Sequence, residues 1–175
     1  MSDSHVAEAL SPLGFTTRIE RIRQRTEKRI QIVDLTEQVL AAVADSGLRQ
    51  GLVSIQTHHT TTAIVINEGE PLLHEDFSRL LERWAPRSDA YQHDRWDLRT
   101  VNLAPGERVN GDAHARAILL GASETLHVID RELQLGRWQR ILLVELDGPR
   151  LREVSIATIG FVGDSASRRT SARLC

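Results

Sequence analysis

Residues 124–160 read ETLHVIDRELQLGRWQRILLVELDGPRLREVSIATIG, and the way this stretch divides decides the fold. Runs of leucine, isoleucine and valine are cut at Asp130-Arg131, Gly136-Arg137 and Asp147-Gly148-Pro149. Each cut carries turn chemistry, so the segment predicts three or four strands with no helix between them. Upstream, Asn110 and Asp112 are capping candidates for a helix carrying Ala113, Ala117, Ile118 and Leu120 and stopping at Gly121. Ala85 to Arg108 is polar and aperiodic, the kind of segment that is usually functional or mobile. Before it, Pro71 suits a helix first turn, and Leu72, Leu73, Phe77, Leu80, Leu81 and Trp84 recur at helical spacing.

Further outward, GLVSIQT (51–57) and TAIVINE (62–68) are rich in β-branched residues and read as strands around a His-Thr segment. Thr36 is the N-cap candidate of a helix built on Leu35, Val39, Leu40 and Val43 and ended by Gly47. FTTRIERIRQRTEKRIQIVDLT (15–36) alternates as a hairpin with one solvated face would, turning at the polar cluster Arg25 to Lys28. Residues 1–13 form an expected flexible arm, 14–162 one domain, and 163–175, rich in serine and arginine, an expected disordered tail. Strands and helices do not alternate regularly enough for a doubly wound sheet. The expectation is α+β: one compact domain with antiparallel or mixed sheets and about three helices.

Composition narrows the function. The net charge of −2 provides no basic field for nucleic acid or anionic lipid. Cys175 is the only cysteine, which excludes an intrachain disulfide framework and a cysteine-rich zinc module. No apolar run reaches the roughly 18–20 residues of a membrane span, and the amino-terminal residues are too polar for a signal peptide, so the expected setting is cytoplasmic. No P-loop, G-x-G-x-x-G or G-x-S-x-G is present.

The residues that could carry chemistry begin with THHTTTAIVINEGE (57–70). Successive side chains on a strand point to opposite faces, so only one of His58 and His59 is expected to face a site. Thr60, Thr61 and Thr62 offer hydroxyls and amides for phosphate oxygens or water, though threonine is also simply a good strand former. Asn67 and Glu68 stand at a strand end, where the carboxylate could be a general base, a partner orienting an imidazole, or a solvated turn residue. His93 lies in the irregular segment and His114 near a helix start. With a strand histidine they could converge on a divalent metal, or be three unrelated polar residues. His74 is expected on the exposed side of its helix and His127 on a solvated strand face. Asp147-Gly148-Pro149 is first a turn, with Arg150 beside it free to pair with an anion or with Glu145 and Asp147. Gln139 follows Trp138 and is available for a polar contact.

Taken in order, HTTTAIVINE, YQHD, NGDAHARAILLGASET and LGRWQRILLVELDGPR resemble the YjbQ-like family of small bacterial and archaeal proteins over roughly residues 15–160. The resemblance implies a compact α+β fold with a sandwich-like core, assembled as a homotrimer. It implies His59, His93 and His114 as ligands of a divalent metal, zinc among the candidates. Asn67 with Glu68, and Trp138, Gln139, Glu145, Asp147, Gly148 and Arg150, fall on its other motif positions. Some members are associated with a secondary thiamine-phosphate synthase activity, which couples hydroxymethylpyrimidine diphosphate to hydroxyethylthiazole phosphate. Two departures stand out: His58 is an extra histidine, and the 95–109 segment is longer than in the shorter members.

The leading expectation is a metal-assisted enzyme acting on a small phosphorylated or anionic molecule. Glu68, His59 and His114 would do the chemistry, while Thr60, Thr61, Thr62, Asn67, Asn110, Gln139, Asp147 and Arg150 would hold substrate. The alternative is a non-catalytic trimer that binds or senses a small anion or metal. Neither reading involves nucleic acid or membrane.

Overall fold

The computed structural model describes residues 7–10 and 14–163. In chain order these form β1 (Ala7–Leu10), β2 (Phe15–Arg25), β3 (Gln31–Asp34), α1 (Thr36–Ser46), β4 (Leu48–Thr57), β5 (Thr62–Glu68) and α2 (Pro71–Trp84). A single 3-10 turn at Gln92–Asp94 precedes α3 (Gly111–Leu120), β6 (Ser123–Ile129), β7 (Glu132–Leu133), β8 (Gln139–Glu145) and β9 (Leu151–Val162). The strands make two sheets, ordered β1-β2-β9-β4-β6-β7 and β3-β8-β5. Every pairing is antiparallel. The fold is α+β, as expected, with three α-helices among the described residues.

The apolar run of β8 shows how the layers are built. Ile141 and Leu143 point to a core shared with Leu35 just before α1, Val39 and Val43 of α1, Val53 and Ile55 of β4, and Val154 and Ile156 of β9. Val144 points the opposite way and, with Leu146 just beyond the strand, packs against Ala63, Leu81, Ala113 and Ala117, where α2 and α3 cover the small sheet. Period-two alternation therefore buries both faces of β8, which is why its sequence is continuously apolar. Each fully buried leucine, isoleucine or valine among these contributes about 1.5–3 kcal/mol.

Several local expectations change. Residues 15–36 do not close a hairpin: β2 joins the large sheet and β3 the small one. Thr36 does not cap α1. Asp34 does, its Oδ1 accepting the Thr36 amide at 2.8 Å, while the Thr36 hydroxyl accepts the Ile141 amide at 2.9 Å. Asn110 occupies the N-cap position of α3, as expected, but its side chain makes no capping bond, and Asp112 lies within the first turn. Asp94, from the irregular segment, accepts the Asn110 and Gly111 amides at 3.0 and 3.1 Å. Leu40, Leu72, Trp84 and Ile118 follow helical spacing but are exposed, Ile118 at 84%. Within the expected arm, Ala7–Leu10 pairs with β2 as an edge strand. The rest of that arm, and the expected tail from Asp164 through Cys175, lie outside the described residues. Among the described residues no helix is long and apolar enough to cross a membrane.

Candidate functional site

The chain passes directly from one sheet to the other at four places, of which 134–138 between β7 and β8 is one; the other three are 26–30 between β2 and β3, 58–61 between β4 and β5, and 146–150 between β8 and β9. These last three meet at one corner. The Thr26 amide donates to Arg150 O at 2.9 Å, the Gly148 amide to Arg29 O at 3.0 Å and the Leu146 amide to Thr61 O at 3.1 Å. The packing is close enough that a Cβ on Gly148 would lie 2.2 Å from Lys28 O, so glycine is required there. The buried Glu145-Arg152 pair lies beneath this corner and spans the two sheets, with N–O contacts of 2.6 and 2.5 Å. The Thr26 hydroxyl donates to the same carboxylate at 2.9 Å.

A cleft of about 520 Å³ opens above the corner, and 92–110 forms its other wall. His58, His59, Thr60, Thr61, His93, Asn110, His114, Asp147 and Arg150, singled out from the sequence, all border it. Both histidines of the doublet reach the cleft because β4 ends at Thr57, so strand alternation no longer governs them. The remaining candidates stand elsewhere. Thr62 is buried beneath the corner, its hydroxyl 2.5 Å from that of Thr57. Asn67, Glu68 and Gln139 lie at the far end of the small sheet, where Glu68 is in register with Gln139. Six strand steps separate Thr62 from Glu68, about 20 Å at the usual rise. Asn67 borders a separate apolar cavity of about 190 Å³ beneath α2. The wall facing the His-Thr residues is thus formed by the irregular segment and not by Asn67 and Glu68. His74 is half-buried rather than exposed, its Nε2 enclosed without a hydrogen-bond partner among the described residues, while His127 is exposed as expected.

Hydrogen bonds set the polarity of the cleft. The Glu153 amide donates to His59 Nε2 at 2.8 Å, which leaves the neutral ring's proton on Nδ1. Arg152 Nη2 donates to Thr61 Oγ1 at 3.1 Å. Arg99 Nη1 faces His93 Nε2 at 3.2 Å and, having no acceptor of its own, must donate to it. The carboxylates are occupied as well. Asp147 receives Arg150 at 2.7 Å, Asn110 Nδ2 at 3.1 Å and Arg29 at 3.3 Å. Glu107 receives Arg99 at 2.5 Å, which holds its carboxyl below the usual range. Burial pushes the pKa of His59 down, and the Arg152 charge adds to the effect. Burial also lowers His114, followed by its neighbour His93, whose ring centroid is 4.4 Å away.

These contacts bear on the expected metal. His59, His93 and His114 border one cleft, yet the Nε2 lone pairs of His59 and His93 are already taken by N–H donors. Among the described residues no three His, Cys, Asp or Glu side chains gather closely enough to hold an ion. As arranged, the donor set does not fit a three-histidine metal centre.

Five bordering residues were not candidates from sequence: Arg99, Asn102, Ala104 and Glu107 of the 95–109 segment, and Arg152. The only signal for the first four was the length of an aperiodic stretch. Arg152 had one usable signal, an arginine at an otherwise apolar-alternating position of a strand next to the ELDGPR turn.

The family model described as "UPF0047 protein YjbQ-like" matches residues 20–161. A UPF0047 protein of Archaeoglobus fulgidus is 44% identical over 135 residues, 77% of this chain and 96% of the relative. The UPF0047 protein YugU of Bacillus subtilis is 31% identical over 143 residues, 81% of this chain and 99% of the relative. Among solved structures, a YbjQ-like protein of unknown function from Sulfolobus solfataricus P2 superposes with a TM-score of 0.76 at 33% identity, covering 83% of this chain and 99% of that one.

Proposed function

The chain belongs to the UPF0047, YjbQ-like family, and from that premise we propose that the cleft at its sheet junction binds a small phosphorylated or otherwise anionic molecule by hydrogen-bond donation. The observation that carries the reading is that protein donors already occupy the lone pairs of His59 Nε2 and His93 Nε2 and one of the two on Thr61 Oγ1. The two rings are left with N–H, and the hydroxyl with its O–H beside one lone pair, which suits an acceptor-rich ligand. Arg150, half-exposed beside Asp147, adds a cation at the rim. Phosphate and diphosphate should raise the melting temperature of the protein and bind measurably by calorimetry. Arg150→Met should weaken that binding about tenfold, the lower range for a charge-assisted hydrogen bond. If neither anion binds the wild-type protein at millimolar concentration, the reading is wrong.

The finer activity is transfer between two phosphorylated substrates, as in thiamine-phosphate synthesis. A donor-lined cleft suits a diphosphate leaving group. In this reading His59 and His114, both biased toward the neutral form, are the groups able to take up or deliver a proton at neutral pH. Rescue of a strain lacking its thiamine-phosphate synthase, and its loss in the His59→Ala/His114→Ala double variant, is the test. A binding protein without turnover would bind diphosphate tightly and release no product.

One observation favours a second reading, a divalent ion such as zinc: the 4.4 Å approach of the His93 and His114 rings. Such an ion would supply charge to a bound phosphate. To hold it, His93 would have to leave Arg99, and His59 would have to leave the Glu153 amide. Elemental analysis of purified protein decides: one equivalent of zinc, lost in the His93→Ala/His114→Ala double variant, would establish this reading over the metal-free one.

A further inference from the structure

We propose that Arg152 is a positioning residue of the cleft, acting through Thr61 to turn its hydroxyl into a donor toward bound anion. This inference rests on the anion-binding reading above. It assigns work to a residue outside the motifs that carry the family resemblance.

Arg152 is 4% exposed, and its side chain is locked from below. Nε and Nη2 grip both oxygens of Glu145, at 2.6 and 2.5 Å. Glu145 is itself held by the Thr26 hydroxyl at 2.9 Å and by the Leu146 and Asp147 amides at 3.0 and 2.8 Å. A guanidinium has no lone pair to offer, so the 3.1 Å contact between Arg152 Nη2 and Thr61 Oγ1 has one sense only. The hydroxyl must accept from Arg152, and its own proton is left to seek another acceptor. Thr61 borders the cleft, and no second partner of its hydroxyl is recorded among the described residues.

The next residue continues the pattern. Glu153 O accepts the His58 amide at 3.1 Å and the Glu153 amide donates to His59 Nε2 at 2.8 Å. Two consecutive residues of β9 therefore fix the donor sense of the 58–61 crossing, Arg152 by its side chain and Glu153 by its backbone. At these two residues β9 is paired with β2 along one edge, and beyond Val154, the last partner of β4, its other edge faces the crossing; a strand so anchored is a rigid support for such a task.

The test is a double-mutant cycle read by phosphate affinity. Removing Arg152 alone would strand the Glu145 charge, so the Arg152→Gln substitution is made together with Glu145→Gln, which leaves a neutral pair of similar size. Thr61→Val removes the hydroxyl, and Thr61→Ser keeps it. Thr61→Val and the Glu145→Gln/Arg152→Gln pair should each weaken phosphate binding about tenfold. The triple variant should bind no more weakly than either, and Thr61→Ser should retain wild-type affinity. Multiplicative losses in the triple variant, or a paired variant that binds phosphate as well as wild type, would overturn the positioning role while leaving the anion site standing. Absence of phosphate binding in the wild-type protein overturns both. Should the paired variant fail to fold, Arg152→Lys serves instead. It keeps the charge but not the two-point grip, and the same non-additivity with Thr61→Val is expected.

Discussion

His59 and His114 are the residues at which local chemistry reports most directly on the fold. Both have pKa values below the ordinary 6.5, mainly because burial disfavours the imidazolium. A depressed folded-state pKa means that the unfolded chain takes up protons first. Stability is complete above the unfolded value, near 6.5, and is lost as pH falls through the window down to the folded values. Urea midpoints should therefore decline from pH 7 to pH 5, and the decline should be shallower in the His59→Gln/His114→Gln variant. An unchanged slope would show that other groups carry it. Glu68 shows the converse. It stands where the sequence put it, at the end of a strand, but at the wrong end of that strand for the cleft. Glu68→Gln is expected to leave phosphate affinity within twofold of wild type, measured by the same calorimetry. Residue type and strand position were legible for both; which strand end faces the other sheet's crossings was not.

At the scale of elements, the boundary between the irregular segment and α3 holds the cleft wall in place. Asp94 supplies the α3 cap, and a Cβ on Gly111 would lie 2.3 Å from Tyr91 Cβ and 2.9 Å from Asp94 Oδ2. Gly111→Ala should push the segment off the helix end and cost about 1–2 kcal/mol, the usual loss of a cap. Chemical denaturation would measure it, and a neutral result would mean that Asp94 follows the displaced amides. Arg116, fully buried on α3, ties that helix to α2 by donating to Glu82 at 2.5 Å and to Ala85 O at 2.8 and 3.1 Å, with Asp112 at 3.5 Å. Its replacement by methionine keeps the volume but leaves Asp112 less compensated. A destabilisation of about 3 kcal/mol is expected, the low end for breaking a buried ion pair, because Arg29 still holds Asp112 at 2.7 Å. Helix positions were readable from period and punctuation, and Pro71, Gly47 and Gly121 fall at or beside the observed ends. The caps were not, because a cap from Asp94 is a tertiary contact that looks like any loop aspartate in the sequence.

For the molecule as a whole, the unexplained feature is the outer face of the large sheet. Ile19, Leu52, Ile129, Ile159 and Phe161 are 39–55% exposed there, and Leu52 lies in register with Ile159. A contiguous apolar surface of this kind marks an interaction site. Together with the trimer implied by the sequence resemblance, it leads us to propose that copies of the chain associate through this face. Sedimentation should give three times the monomer mass, and Phe161→Glu should shift it toward monomer. A wild-type monomer at micromolar concentration would exclude the proposal.

Much of this molecule was written in local pattern. Turn residues cut 124–160 into short strands, periodicity marked three helices, and the ordered motifs identified the family and most of the cleft residues. Those features depend on what each residue prefers beside its chain neighbours, which sequence states directly. Tertiary structure decided which strands share a sheet, and hence that three crossings meet at one corner. It also brought Arg99, Glu107 and Arg152 to the cleft, and it determined that His59 presents an N–H there and Thr61 an uncommitted O–H. These outcomes depend on hydrogen bonds between segments far apart in the chain, 94 residues for the Glu153 amide on His59 and 124 for Thr26 with Arg150. A side chain's free valence is whatever remains after such distant partners have taken their share, and no local pattern records that remainder.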